Sequence, residues 1–180
     1  MEDKLLIWKF KCGSTDALCR IYDKYKIHLL KISTALLNDK SVAEDVVHDV
    51  VVALAQSARS IKVTGNLKSF LATCVANRVR NMNNHRRLRK TGDLDQADSV
   101  ISKSLRPEQW IVHNEQLDRL NNALCQLPYE QREVITLHLY GGIRFKKIAQ
   151  MQQTSINTVQ SRYRYGLDKL RSLLNGEAER

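Results

Sequence analysis

The sequence is poor in residues that break regular structure. Its 180 residues include two prolines and seven glycines, and no sustained alternation of apolar and polar residues is found, so a chain of short strands is not expected. Long apolar runs are missing too. The longest, Val50 to Ala55, falls far short of a bilayer span. The opening "MEDKLLIWKFK" sets acids ahead of a short apolar patch and does not read as a secretory leader. These absences predict a cytoplasmic protein with no membrane insertion. Cysteines stand only at 12, 19, 74 and 125, with no C-x-x-C pair and no histidine at zinc-finger spacing. A disulfide framework and a zinc site are therefore not expected, and the thiols are expected to be buried or half-buried. Hydrophobic residues still make up 43% of the chain, enough for a packed core.

What the sequence has is positive charge, unevenly placed. The net charge is +10. Residues 78–90 carry six Lys or Arg and no acid; residues 144–171 carry seven against the single acid Asp168. Between them, residues 91–118 hold six acids and two bases. Two basic blocks around an acidic spacer suggest two contact surfaces for a polyanion. Each block could equally be a solvated face, so charge alone leaves both readings open.

Periodicity predicts an all-α chain of two small helical domains joined by a linker, the C-terminal one with a helix-turn-helix. In residues 16–37, Leu18, Ile21, Tyr22, Tyr25, Leu29, Ile32 and Leu36 recur at spacings of three and four, which makes one amphipathic helix. Ser41 is the expected N-cap of a second helix, from about Val42 to Ala58. A turn at "KVTGN" and a helix from about Asn66 to Arg89 follow. Residues 91–107 read as the linker, with Pro107 at the first position of a new helix. Further helices are predicted at about 108–125, 128–140, 144–151 and 155–174. The domains are thus 1–90 and 108–180.

In the C-terminal block, a short helix carrying Phe145, Ile148 and Ala149 precedes a turn. A longer helix follows, with Val159, Tyr163, Leu167, Leu170 and Leu174 on one stripe. That stripe points Tyr163 inward. Asn157, Thr158, Gln160, Ser161, Arg164 and Tyr165 then fall elsewhere, near the end of the helix that would enter a major groove. Asn and Gln can pair bidentately with adenine and Arg with guanine. Arg144, Lys146, Lys147 and Arg162 suit phosphate contacts, which set register without reading sequence. The alternative is a helical hairpin with a wet basic face.

The segment "LCQLPYEQREVITLHLYGGIRFKKIAQMQQTSINTVQSRYRYGLDKLRSLL" resembles region four of bacterial sigma factors. The resemblance is carried by Leu127, Pro128, Gln131, Arg132, Glu133, Ile148, Ala149, Thr158, Val159, Ser161 and Arg162. Three departures stand out. Gln153 occupies the turn position where the family usually has Gly. Lys147 replaces an acid, and Gln160 replaces the common Lys or Arg. A left-handed turn at Gln153 would carry a strain on the order of 1 kcal/mol.

In residues 42–58, Val42, Val46, Val47, Val50, Val51 and Leu54 form an expected buried stripe. Because valine is a mediocre helix former, packing has to hold this helix. Glu44, Asp45, His48 and Asp49 lie opposite. On physical grounds they are either a solvated acidic face near a helix N-terminus or a docking surface. The segment resembles the part of sigma region two that grips the clamp helices of the RNA polymerase largest subunit, which implies that these four residues bind polymerase. The next stretch resembles the family's promoter-opening segment. That likeness implies that Lys62, Asn66, Lys68, Asn77, Arg78 and Arg80 hold flipped-out bases, with Arg86 and Arg87 on backbone phosphates. Phe70 is expected in the core. Ala72, Thr73 and Ala76 stand where aromatic or basic residues are common in the family.

The resemblance spans about residues 5–90 and 108–174, with no room for a folded region three, as in the extracytoplasmic-function group. It implies a sigma factor that binds polymerase core and promoter DNA and is often held by an anti-sigma partner. No catalytic constellation, metal set or cofactor motif is found, so the chain is not expected to be an enzyme. The alternative function is a helix-turn-helix regulator that binds duplex DNA independently of polymerase.

Overall fold

Helix follows helix through the residues that the computed structural model describes: 2–58, 60–61, 63, 66–92 and 115–176, with side chains excepted at 87–92 and 115–117. In order these are α1 (Glu2–Lys11), α2 (Thr15–Leu37), α3 (Lys40–Gln56), α4 (Leu67–Gly92), α5 (Glu115–Cys125), α6 (Tyr129–Ile135), a π-helical turn (Thr136–Tyr140), α7 (Phe145–Met151) and α8 (Ile156–Gly176). No strand occurs among the described residues. The expected linker lies outside them, except that α4 runs on through its first two positions. So do the start of helix 108–125, Pro107 and most of the "KVTGN" turn.

Two boundaries differ from the sequence reading. α1 was not foreseen: it is short, and its buried residues are only Leu6 and Phe10. Asp3 ties it down, accepting from the Tyr25 hydroxyl at 2.7 Å and from Lys24 Nζ at 2.8 Å. The N-cap of α3 is Asp39, not Ser41; the Asp39 carboxylate accepts from the Val42 amide at 3.1 Å. Asp39 can cap there because Asn38 turns the chain through a left-handed conformation (φ 56°) that closes α2.

α2 is the axis of the molecule. Ile21, Leu29, Ile32 and Leu36 are buried, and the helix packs against α1, α3 and α4 on one side and α5, α6 and the π-helical turn on the other. The predicted valine stripe of α3 is buried at Val46, Val47, Val50 and Leu54, joined by Ala43, with Val42 and Val51 half-buried at its margins. Phe70 packs against the core as expected. One continuous cluster combines residues of α1–α4 with Val134, Leu137, Ile143, Ile148, Ala149 and Val159. A second gathers Ala123, Leu124, Leu127, Ile135 and Leu170 around Ala35 of α2. The two halves therefore share apolar surface. The expectation of buried thiols fails at the N-terminus, where Cys12 and Cys19 are exposed; Cys74 and Cys125 are half-buried.

Between α7 and α8, Gln153 takes φ 52°, so the turn keeps the glycine conformation without the glycine. Gln153→Gly should relieve the Cβ strain, partly offset by the greater freedom of glycine in the unfolded chain. A melting-temperature rise of about 1–3 °C is the expected outcome in a calorimetric scan. A fall would show that the side chain contributes more than its backbone strain costs.

Candidate nucleic-acid interface

α7 and α8 are built as the spacing predicted. Ser155 caps α8, its hydroxyl accepting from the Thr158 amide at 3.0 Å and lying 2.9 Å from the Thr158 hydroxyl. Tyr163 points inward, edge-on to the Phe145 and His138 rings with centroids at 5.2 Å in both cases. Gly166 lets α8 cross α6 closely: a Cβ there would lie 2.8 Å from Ile135 Cδ1. With the inner face so occupied, Asn157, Gln160, Arg164 and Tyr165 are exposed, as are Arg144, Lys146 and Lys147. The Arg164 guanidinium sits 5.5 Å from the Tyr165 ring centre, which holds two long side chains side by side. Ser161 and Thr158 are half-buried.

Arg162 differs from its neighbours. It is half-buried, and its Nη1 donates to Gln152 Oε1 at 2.7 Å. Gln152 Nε2 in turn donates to Glu133 Oε2 at 2.7 Å and to the Glu130 carbonyl at 3.2 Å. Glu133 is 1% exposed. Its Oε1 accepts from the Tyr129 hydroxyl at 3.2 Å and from Arg80 Nη2 at 2.7 Å. Burial, with the Glu133 charge beside it, raises the Tyr129 pKa above the ordinary tyrosine range. Gln152 and the hub role of Glu133 were not foreseen, because nothing in a linear pattern says that residues 80, 133, 152 and 162 converge.

The second surface lies on α3 and α4. Glu44, Asp45 and His48 are exposed on α3, with Asp49 half-buried beside them; the exposed Val52 adds an apolar residue to that face. Along α4, Leu67, Leu71, Ala72, Val75, Ala76 and Val79 are buried, leaving Lys68, Asn77, Arg78 and Arg86 outward. Asn66 is exposed and caps α4, accepting from the Ser69 amide at 2.7 Å. Lys62 and the side chain of Arg87 lie outside the described residues. Arg78 donates to Asp49 Oδ2 from Nη2 at 2.6 Å and from Nε at 3.0 Å. Beside this pair a cleft of about 460 Å³ opens between α3 and α4, lined by Val52, Gln56, Ile61, Cys74, Asn77 and Asn81 among others. Apolar walls with amide groups at the rim suit an unstacked base better than a duplex. Of the eight downstream candidates, the structure thus gathers Asn77 and Arg78 at the cleft and sets Arg80 apart, facing the C-terminal half.

Comparison with known proteins agrees with this layout. The family model described as "Sigma-70 region 2" matches residues 21–91, and "Sigma-70, region 4" matches residues 117–170. The RNA polymerase sigma factor CnrH of Cupriavidus metallidurans is 24% identical over 185 residues, covering 99% of this chain and 97% of that protein. The ECF RNA polymerase sigma factor SigX of Bacillus subtilis is 26% identical over 157 residues, covering 84% and 80%. Among solved structures, CnrH in complex with the cytosolic domain of CnrY shares the fold with a TM-score of 0.66 at 20% identity, covering 97% of each chain. The sigma factor RpoE in complex with the anti-sigma factor NepR from Bartonella quintana has a TM-score of 0.63 at 25% identity, covering 85% of this chain and 95% of that one.

His28 sits half-buried on α2, with Nε2 buried and without a hydrogen-bond partner. Burial, with Lys68 and Lys31 nearby, pushes its pKa down to about 4. The unfolded chain, with an ordinary histidine near 6.5, therefore binds the proton more readily than the folded one. The His28 contribution is fully present above about pH 6.5 and is lost as pH falls towards about 4. His28→Gln should flatten the melting-temperature profile across that window in thermal scans. An unchanged slope would contradict the assignment.

Proposed function

The chain belongs to the sigma-70 family of RNA polymerase sigma factors, in the extracytoplasmic-function group, and we propose a division of labour among its surfaces. It binds polymerase core and directs promoter-specific initiation. Residues 1–90 bind core through Glu44, Asp45, His48 and Asp49 and capture the melted downstream element on α4. Residues 108–180 read the upstream element as duplex through α8. The observation that carries this reading is the pairing of two unlike surfaces: an acidic α3 face flanking an amide-rimmed cleft, and a separate exposed groove-reading set on α8. A regulator that binds duplex DNA alone would leave the first of these unexplained.

Within the α8 set, Asn157, Gln160 and Arg164 approach base edges, while Arg144, Lys146 and Lys147 hold phosphates. The chain works in the cytoplasm and supplies no catalysis, because the polymerase carries out the chemistry. By analogy with RpoE, whose structure was solved with the anti-sigma factor NepR, this chain is held by an anti-sigma partner of its own. No helix among the described residues is long and apolar enough to cross a membrane.

The decisive experiment is transcription by purified core on a promoter library with and without the chain; the absence of any chain-dependent transcript would refute the reading. Asp45→Arg is expected to weaken core binding by about tenfold or more, about 1.4 kcal/mol, with helix content unchanged. Fluorescence anisotropy against labelled core would measure it, and wild-type affinity would remove Asp45 from the interface. For duplex binding, Lys147→Ala should reduce the salt slope by about one and weaken all sequences alike. Gln160→Ala should instead relax preference at one base pair by about 1–3 kcal/mol. Salt titrations on matched and mismatched duplexes separate the two.

A further inference from the structure

The exposed face of α8 that carries Asn157, Gln160 and Arg164 is polar except at its first residue. Ile156 is 42% exposed, with Gln160 one turn on and Arg164 a turn beyond. Nothing local requires an isoleucine there. Ser155 supplies the cap of α8, through the Thr158 amide. Val159 fills the inner face and is buried. Isoleucine is also a mediocre helix former, because its branched Cβ restricts χ1. Two polar neighbours are already committed. The Thr158 hydroxyl lies 2.9 Å from Ser155 Oγ, and Arg162 donates to Gln152. The first turn of α8 therefore offers a groove two groups above all, the Asn157 amide and the Ile156 methyls.

We propose that Ile156 reads the 5-methyl group of a thymine in the upstream promoter element. The inference rests on the functional reading above, in which α8 enters the major groove. Thymine alone among the four bases presents a methyl group there, and cytosine presents an amine donor instead. Against the Ile156 side chain the methyl gains apolar contact. The amine of a cytosine would lose water and find no acceptor, so the same side chain rejects the other pyrimidine. Its stiffness helps, because a side chain restricted at χ1 has little rotamer freedom to lose on contact. Helix geometry gives the register. Ile156 and Gln160 are four residues apart, about 6 Å along the axis, and bases stack about every 3.4 Å. The thymine therefore lies within about two base pairs of the pair that Gln160 prefers.

The test uses the full chain bound to purified polymerase core, with the promoter fragment that the library experiment selects. Each thymine of its upstream element is replaced in turn by deoxyuridine, which removes the methyl and keeps every hydrogen-bonding group. Fluorescence anisotropy gives the affinities. For the wild type, one replacement is expected to weaken binding by about fourfold, the effect of exposing one buried methyl or methylene group. That position should fall within about two pairs of the one relaxed by Gln160→Ala. Ile156→Ala should weaken binding to the thymine fragment by a similar factor and lose its sensitivity to that uracil. Ile156→Val, which keeps the branched Cβ, should retain the sensitivity, an outcome that a merely structural role does not produce. An upstream element without thymine, or a wild type that tolerates every uracil, would overturn the inference. So would a uracil penalty undiminished in Ile156→Ala, or an Ile156→Ala defect confined to core binding, which would assign the side chain to a protein surface. A library that yields no chain-dependent promoter overturns the functional reading and this inference together, whereas a bound promoter indifferent to uracil overturns the inference alone.

Discussion

The carboxylate of Glu133 is the constraint around which the C-terminal half and its docking are arranged. A buried charge is tolerated only when donors surround it. Here Arg80, Tyr129 and Gln152 supply them from three different elements. Each donor is thereby fixed in place. Gln152, held by Glu133, orients Arg162 on α8, and Tyr129 is locked into the first turn of α6. Removing one partner of such a buried pair typically costs about 3–5 kcal/mol, because the other charge is left uncompensated. The π-helical turn that follows carries the chain to Gly141 and Gly142, where α4 is met at close range.

The two functional surfaces differ in how firmly they are held. On α8 the exposed side chains of Asn157, Gln160 and Arg164 project from a helix pinned by Tyr163, Val159 and the close crossing at Gly166, so their positions follow from the core. On α3 and α4, Asp49 and Arg78 meet in a pair whose side chains are 44% and 49% exposed. Such pairs contribute little, about 0–1 kcal/mol. The acidic face of α3 and the cleft residues of α4 thus meet at a weak, exposed contact.

Positions 72, 76 and 153, where the sequence departs from the pattern it resembles, have distinct settings in the fold. Gln153 keeps the left-handed turn at an energetic cost, since the helix-turn-helix crossing requires that backbone whatever residue occupies it. Ala72 and Ala76, where bulkier or charged residues are common in the family, are fully buried, and at Ala72 the neighbour is Gly141 of the C-terminal half. A long basic side chain at that position would have no room. Ala72 thus sits in a packing contact with the C-terminal half, and Ala76 lies in the core.

Element types and facing were legible because they depend on local spacing. The stripes of α2, α3 and α8 repeat every three or four residues, and a helix that buries one face leaves the other for solvent or a partner. For the same reason Tyr163 could be turned inward and Asn157, Gln160 and Arg164 outward, and the acidic face of α3 identified. α1 escaped notice because only Leu6 and Phe10 are buried in it, which sets no repeat, and Asp39 capped α3 because capping depends on the turn geometry set by Asn38. What only the tertiary structure decided is how distant segments meet: the shared core of the two halves, the convergence of residues 80, 133, 152 and 162, and the commitment of Arg80 to an internal carboxylate. Sequence periodicity reports which way a side chain points relative to its own helix. It carries no record of which other helix arrives there, because that is settled by the burial of surface and charge across the whole molecule.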